Sequence, residues 1–276
     1  MAVREFPALE VALAGGEDAS ISRAVAVEQP VAFEINGLAY AVMMASPCDL
    51  EDFAVGFAMS EALATSPEDI GQLDVAEVEG GRIVRLSIPS LGDELAERIR
   101  LRLTEGSCGL CGIRSIEEVL RPLDALAPAK PLTRTALKRA LARLREHQPM
   151  GTATGAMHVA AACSRDGEIL LAREDVGRHN ALDKLVGAMA RQGLSADDGF
   201  FLLSARCSYE LVEKTVRAGC ATLVTVSAPT SLAIERAQES GLQLYALARE
   251  DSALLLHLPG NDARIGDASK GTEHGL

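Results

Sequence analysis

The chain has no run of about 18 consecutive apolar residues, the length that a membrane-spanning helix requires. Its start, Met1-Ala2-Val3-Arg4-Glu5-Phe6-Pro7, carries no apolar stretch of the kind a secretory leader needs. Both absences lead to the expectation of a soluble cytoplasmic protein with no membrane partner. Positive charge is in deficit too: 27 Lys and Arg stand against 39 Asp and Glu, a net charge of -12. Such a chain repels a polyanion, so nucleic acid is not expected as a partner, while a local basic patch can still hold a phosphate. Internal repeats are missing. Six cysteines (Cys48, Cys108, Cys111, Cys163, Cys207 and Cys220) are scattered, with one C-x-x-C pair among them. In a reducing compartment that is not a disulfide framework. A second C-x-x-C or an H-x-x-x-H, either of which would complete a four-ligand zinc site, is absent.

What is present is an apolar content of 48% over 276 residues, enough for one large or two modest domains. Residues 1 to about 20 are mixed in character and are expected to be poorly ordered. Beyond them, Val31–Ile35 and Leu38–Met44 flank Asn36-Gly37, a pair that accepts the positive φ of a tight hairpin turn. Asp49 is expected to cap a helix of about fifteen residues. A second hairpin is read over Asp74–Val78, Gly80-Gly81 and Ile83–Ile88, followed by a helix over 93–104. Ser115-Ile116-Glu117-Glu118 has capping-box spacing, so a further helix is expected close behind Cys111. After the prolines at 122, 128 and 131 comes a helix near Thr133–His147, whose basic residues read as a solvated face.

The second half changes rhythm. A hairpin over Met157–Arg173 precedes helix Asn180–Arg191, strand Phe200–Ala205, helix Tyr209–Ala218, strand Ala221–Val226, a helix capped near Thr230 or Ser231, and strand Leu242–Ala248. Strands alternating with helices imply βαβ units and a mixed, mostly parallel sheet. The fold class is therefore α/β, with an α+β N-terminal part. The expected domains are 20–125, ending in the C-x-x-C loop, and 132–260, with a flexible tail at 261–276.

Two clusters can carry chemistry. Gly106-Ser107-Cys108-Gly109-Leu110-Cys111-Gly112 sets two thiols three residues apart among three glycines, a composition that opposes regular structure. Its uses include a zinc site completed through Cys207, His158 and His179, a redox dithiol, and sulfur carriage as a persulfide. A zinc deaminase is excluded, because no His-x-Glu precedes the cysteines. A helix start behind Cys111, with Arg114 nearby, favours the thiolate that carriage needs. The second cluster, Arg173-Glu174-Asp175-Val176-Gly177-Arg178-His179-Asn180-Ala181-Leu182-Asp183-Lys184, joins a strand to a helix. Backbone N–H groups at the helix start, with Arg178 and Lys184, can hold a phosphate, and His179 and Asp183 are spaced to pair. Thr154–His158, Ser204–Ser208, Ser227–Ser231 and Arg249 are all expected at one sheet edge, where ligands bind in such folds. Cys163 and Cys220 read as buried small hydrophobes, and Cys48 is given no role.

Taken together, Cys108-Gly-Leu-Cys111-Gly112, Thr154-Gly155-x-x-His158, Glu174–Lys184 and Ser227–Ala233 resemble the formate dehydrogenase accessory sulfurtransferases, the FdhD family. The likeness begins at the first hairpin and Pro47–Phe57 and ends near residue 258. It implies a sulfur carrier: a cysteine desulfurase loads a persulfide onto the C-x-x-C loop. The sulfur then passes to a molybdenum (or tungsten) bis-molybdopterin guanine dinucleotide cofactor before insertion into formate dehydrogenase. The resemblance also implies a cytidine-deaminase-like second domain and a homodimer. Residue by residue, it makes Cys108 the leading persulfide site and Cys111 its partner. Its cofactor-binding segment falls on Leu247-Ala248-Arg249-Glu250-Asp251-Ser252, alongside Arg178, His179 and Lys184, with no resident metal. Ala156, Ala205, Leu247 and Glu250 depart from the family's usual residues. Two other roles for the chain stay open: a chaperone that only holds the cofactor, and a zinc-stabilised loop.

Overall fold

The computed structural model describes residues 2–92, 95 and 122–260. Cys108 and Cys111, the helices expected at 93–104 and behind Cys111, and the tail at 261–276 therefore lie outside the described residues.

The expectation of a poorly ordered start is corrected. Strand β1 (Val3–Glu10) pairs antiparallel with β2 (Ala19–Ala26) in a two-stranded ribbon. Nearly all of its residues face solvent, so no alternation of apolar and polar residues marks it in the sequence. Next comes a four-stranded sheet ordered β4-β3-β6-β5, from β3 (Gln29–Ile35), β4 (Leu38–Ala45), β5 (Gln72–Val78) and β6 (Gly81–Ser87). Both expected hairpins form. Asn36 and Gly37 take φ of 50° and 79°, as a tight primed turn demands, and Gly80 turns the second at φ 82°. β3 and β6 then join the hairpins in parallel.

Helix α1 (Leu50–Ser60) covers this sheet, burying Phe53 and Phe57 against Phe33 with ring centroids 5.1 and 4.5 Å apart. It spans 11 residues rather than about fifteen. Asp49 does occupy the N-cap position, but at φ 51°, and its side chain makes no capping hydrogen bond. At the far end Glu61 and Ala62 close on Phe57 and Met59, and the positive φ of Ala62 turns the chain away.

The second half carries α2 (Arg134–Arg143), a short α3 (Pro149–Thr154), β7 (His158–Ser164), β8 (Ile169–Asp175) and α4 (Arg178–Arg191). It continues with β9 (Gly199–Leu203), α5 (Tyr209–Arg217), β10 (Thr222–Thr225), α6 (Ser231–Ser240), β11 (Gln243–Ala246) and β12 (Leu254–His257). Thr230 caps α6 by accepting from the Ala233 amide, as its sequence position foretells. The sheet order is β12-β11-β10-β9-β7-β8. β9, β10 and β11 run parallel at its centre, and the β7–β8 hairpin and β12 run antiparallel at its flanks. Separate apolar clusters fill its two faces. Leu182, Leu185, Leu211 and Leu223 belong to one, and Phe200, Leu202, Val224 and Tyr245 to the other.

The two halves meet where α1 crosses α4. A polar clamp borders the crossing: Asp52, itself buried, binds Arg173 at 2.8 Å and Arg191 at 2.5 Å.

Candidate functional site

Because β7 is antiparallel to β9, its start lies beside the carboxyl ends of β9, β10 and β11. That places His158, Ser204–Ser208, Ser227–Ser231 and the segment after β11 along one edge, as the sequence pattern implies. Hydrogen bonds tie the loops together there. Ser204 Oγ accepts from the Val159 amide at 3.0 Å, and Ser227 Oγ donates to Ser204 O at 3.2 Å. The Cys207 amide donates to Ala228 O, and the Thr230 amide donates to Cys207 O.

The segment 247–252 forms a tight turn on this edge. The Leu247 and Ala248 amides donate to Ser227 O and Thr225 O, and the Arg249 amide donates to Ser252 O at 2.7 Å. Leu247 sits at φ 48°, a left-handed conformation that costs a branched residue about 1–2 kcal/mol and persists only where neighbouring contacts impose it. Arg249 donates to Val226 O and to Ala248 O, which lays its guanidinium along the edge.

Ala248, Arg249 and Glu250 line an open pocket of about 460 Å³. Of its other walls only Gly155, in the Thr154–His158 stretch, was expected at this edge from the sequence. Arg23 reaches in from β2, donating to Thr154 O at 3.0 Å. Arg145 enters from the turn after α2, and Leu141 and Leu144 give an apolar side. Gly151, Thr152 and Gly155 supply backbone from around α3, which Glu174 holds by accepting from the Met150 and Gly151 amides at 3.0 and 2.6 Å. Burial pushes the Glu174 carboxyl above its ordinary range, and those two amides pull it back. The one faint signal for Arg145 was the basic helix face; for Arg23 there was none.

The second cluster divides. Arg178 and His179 open α4 at the same edge, with His179 Nε2 3.3 Å from Ser208 Oγ and 3.6 Å from Glu210. Burial works against the Glu210 charge, but hydrogen bonds from His179 and Ser208 outweigh it and hold the carboxyl at about 2. The expected His179–Asp183 pairing does not form, because Asp183 points inward and accepts from Lys214 at 2.7 and 2.9 Å. Lys184 is fully buried, with Nζ 2.6 Å from Asp175 and 3.0 Å from Ser46 O. A ligand could reach its ammonium only by opening that ion pair. Its position in the second turn of α4 placed it near the cluster in sequence, while the helix turn aims it at the core.

The described cysteines are shielded. Burial pushes the Cys207 and Cys220 thiols up to about 12 and the Cys163 thiol higher still. Cys48 is half-buried and pushed up to about 11 by burial, despite Lys184 Nζ 3.8 Å away. Among the described residues no group of three or more His, Cys, Asp or Glu is arranged to hold a metal ion.

Comparison with known proteins places this geometry. The chain is 42% identical over 241 residues to a protein of Bordetella petrii named sulfur carrier protein FdhD, covering 87% of each chain. Proteins of the same name from Xanthomonas campestris pv. campestris and Variovorax paradoxus are 43% and 44% identical. The first alignment covers 89% of this chain and 88% of the relative, the second 85% of each. A crystal structure from Desulfotalea psychrophila, named as that of a formate dehydrogenase accessory protein, has the same fold. The TM-score is 0.75 at 22% identity, over 94% of this chain and 98% of that one. With residues 26–260 matching the family model as well, the chain belongs to the FdhD/NarQ family.

Proposed function

We propose that this protein is a sulfur carrier in formate dehydrogenase maturation that holds sulfur as a persulfide on Cys108, with Cys111 assisting. Relatives more than 40% identical along most of their length are named sulfur carriers. A carrier needs an accessible thiolate. The observation that points to the C-x-x-C pair is the state of the other four cysteines: Cys163, Cys207 and Cys220 are buried, Cys48 is half-buried, and burial pushes each thiol up. In the loading step the Cys108 thiolate attacks the outer sulfur of a cysteine desulfurase persulfide. One S–S bond forms as another breaks, the desulfurase thiolate leaves, and nothing is oxidised or reduced overall.

The sulfur's acceptor in this proposal is the molybdenum (or tungsten) bis-molybdopterin guanine dinucleotide, bound as a substrate at the edge of the six-stranded sheet. The pocket beside Arg249 fits a phosphate-bearing end of such a molecule. Its guanidiniums suit phosphate oxygens and its apolar side suits a flat ring. A pocket of 460 Å³ takes one nucleotide end rather than the whole.

Incubation with a cysteine desulfurase and cysteine tests the reading. The parent should gain sulfane sulfur that cyanide removes, Cys108→Ala should lose it, and Cys163→Ala or Cys220→Ala should load as the parent does. Equal loading of the parent and a Cys108→Ala/Cys111→Ala double variant would sink the proposal. Full restoration of formate dehydrogenase by the corresponding serine variants would replace it with a chaperone that only holds the cofactor.

A further inference from the structure

Three guanidiniums from distant parts of the chain line the pocket beside the 247–252 turn: Arg23 on β2, Arg145 after α2 and Arg249 after β11. Among the described residues none of the three makes an ion pair, whereas ten other Arg and Lys side chains do. The chain as a whole carries -12, so three cations against one lining carboxylate, Glu250, run against its overall sign. All three side chains are exposed, and with Glu250 beside them the lining keeps an excess of positive charge that a multiply charged anion complements.

From this convergence we infer that the N-terminal β1–β2 ribbon is part of the ligand site, and that Arg23 acts with Arg145 and Arg249 as a clamp for a phosphoryl or diphosphoryl group. Guanidinium is the side chain suited to the task, since its planar fork of N–H donors matches two phosphate oxygens at once. Arg23 spends one donor on Thr154 O, which fixes its direction and leaves other N–H groups for a ligand. The chemistry is that of an organic phosphate, because Leu141, Leu144 and Val226 add apolar wall to the charged rim. Arg23 lies just before residues 26–260, the part that matches the family model.

The inference rests on the proposal that this pocket takes the nucleotide end of the cofactor, and the test separates the two. Calorimetric titrations of the full chain would use inorganic pyrophosphate, GDP and phosphate-free guanosine. The parent should bind GDP and pyrophosphate, with affinity falling as salt rises, and guanosine far more weakly. Arg23→Gln keeps a donor for Thr154 O but removes the charge, and it should weaken GDP and pyrophosphate at least tenfold, as should Arg145→Gln and Arg249→Gln. Arg4→Gln serves as the control for charge on the same ribbon, since Arg4 stacks over Phe6 at 5.1 Å and does not line the pocket. Parent-like binding by Arg23→Gln, alongside loss in Arg249→Gln, overturns the clamp and leaves the pocket reading intact. Equal weakening by Arg4→Gln also overturns it, in favour of diffuse charge. Failure of the parent to bind either phosphate compound overturns the pocket reading and the clamp together.

Discussion

Gly56 of α1 and Gly187 of α4 meet backbone to backbone. A Cβ on Gly56 would lie 1.7 Å from Asp183 O and 2.7 Å from the Gly187 amide nitrogen, and one on Gly187 would lie 1.9 Å from Asp52 O. No side chain fits on either residue without the backbone moving, so the two helices cross in backbone contact, and the two halves of the chain are joined there.

Gly56→Ala and Gly187→Ala should therefore each destabilise the protein by about 3 kcal/mol or more, above the usual range for one added methyl, because the obstruction is backbone rather than a movable side chain. Urea unfolding measures this. Gly193→Ala provides the contrast: nothing stands within 4 Å of its would-be Cβ, and its cost should be confined to the strain of φ 65°.

The Lys184–Asp175 pair should behave as a structural unit. Asp175 also accepts from the Ser46 amide at 3.0 Å, the Gly177 amide at 2.7 Å and Asn180 Nδ2 at 3.0 Å. Lys184→Met should cost about 3–5 kcal/mol by leaving a buried carboxylate uncompensated, and Lys184→Met/Asp175→Asn should recover part of that loss. Denaturant midpoints of the two variants decide it. A drop in pyrophosphate affinity without a drop in stability would restore Lys184 as a ligand residue.

His158 gives a pH dependence with a definite sign. Burial, with help from Arg178, His179 and Arg206, lowers its proton affinity below the ordinary histidine value of 6.5, against the pull of Asp175. The unfolded chain then binds the proton more readily than the folded one. Stability should fall as pH drops from about 7.5 through 6.5 toward the lowered value. Glu174, raised by burial, acts in the opposite direction lower on the scale. Comparing the urea midpoint of the parent with that of His158→Gln at pH 7.5 and 5.5 isolates the histidine, and the parent should lose more on acidification.

Leu247 is the strained residue of the pocket turn. Leu247→Gly should relieve its left-handed φ and raise stability by up to about 1 kcal/mol, while loosening the turn that presents Arg249. Thermal unfolding should therefore shift up as pyrophosphate affinity shifts down. A variant weaker on both counts would mean that the Leu247 side chain, 38% exposed, is doing more packing than its exposure indicates.

Much of the fold was legible because its signals are local. Asn36-Gly37 announces its own turn, Thr230 its own cap, and the alternation of strands with helices the central parallel strands. The β1–β2 ribbon was not legible, since a ribbon solvated on both faces needs no apolar alternation. Asp49 kept its place at the start of α1 but not its expected bond, because its backbone enters the helix from a left-handed conformation.

What the sequence determined by itself is the α/β class, the motif pattern of the family and the sheet edge where His158, Ser204, Ser227 and Arg249 gather. These follow from short-range chemistry and from strand order. What only the tertiary structure decided is which charges line the pocket and which are buried. Arg178 and Lys184 are near neighbours in one helix, yet one lies at the edge and the other is sealed against Asp175. Arg23, Arg145 and Arg249 are far apart in the chain, yet they share a pocket. A helix turns a side chain by about 100° per residue, and packing brings distant segments into contact, so spacing along the chain does not settle either outcome.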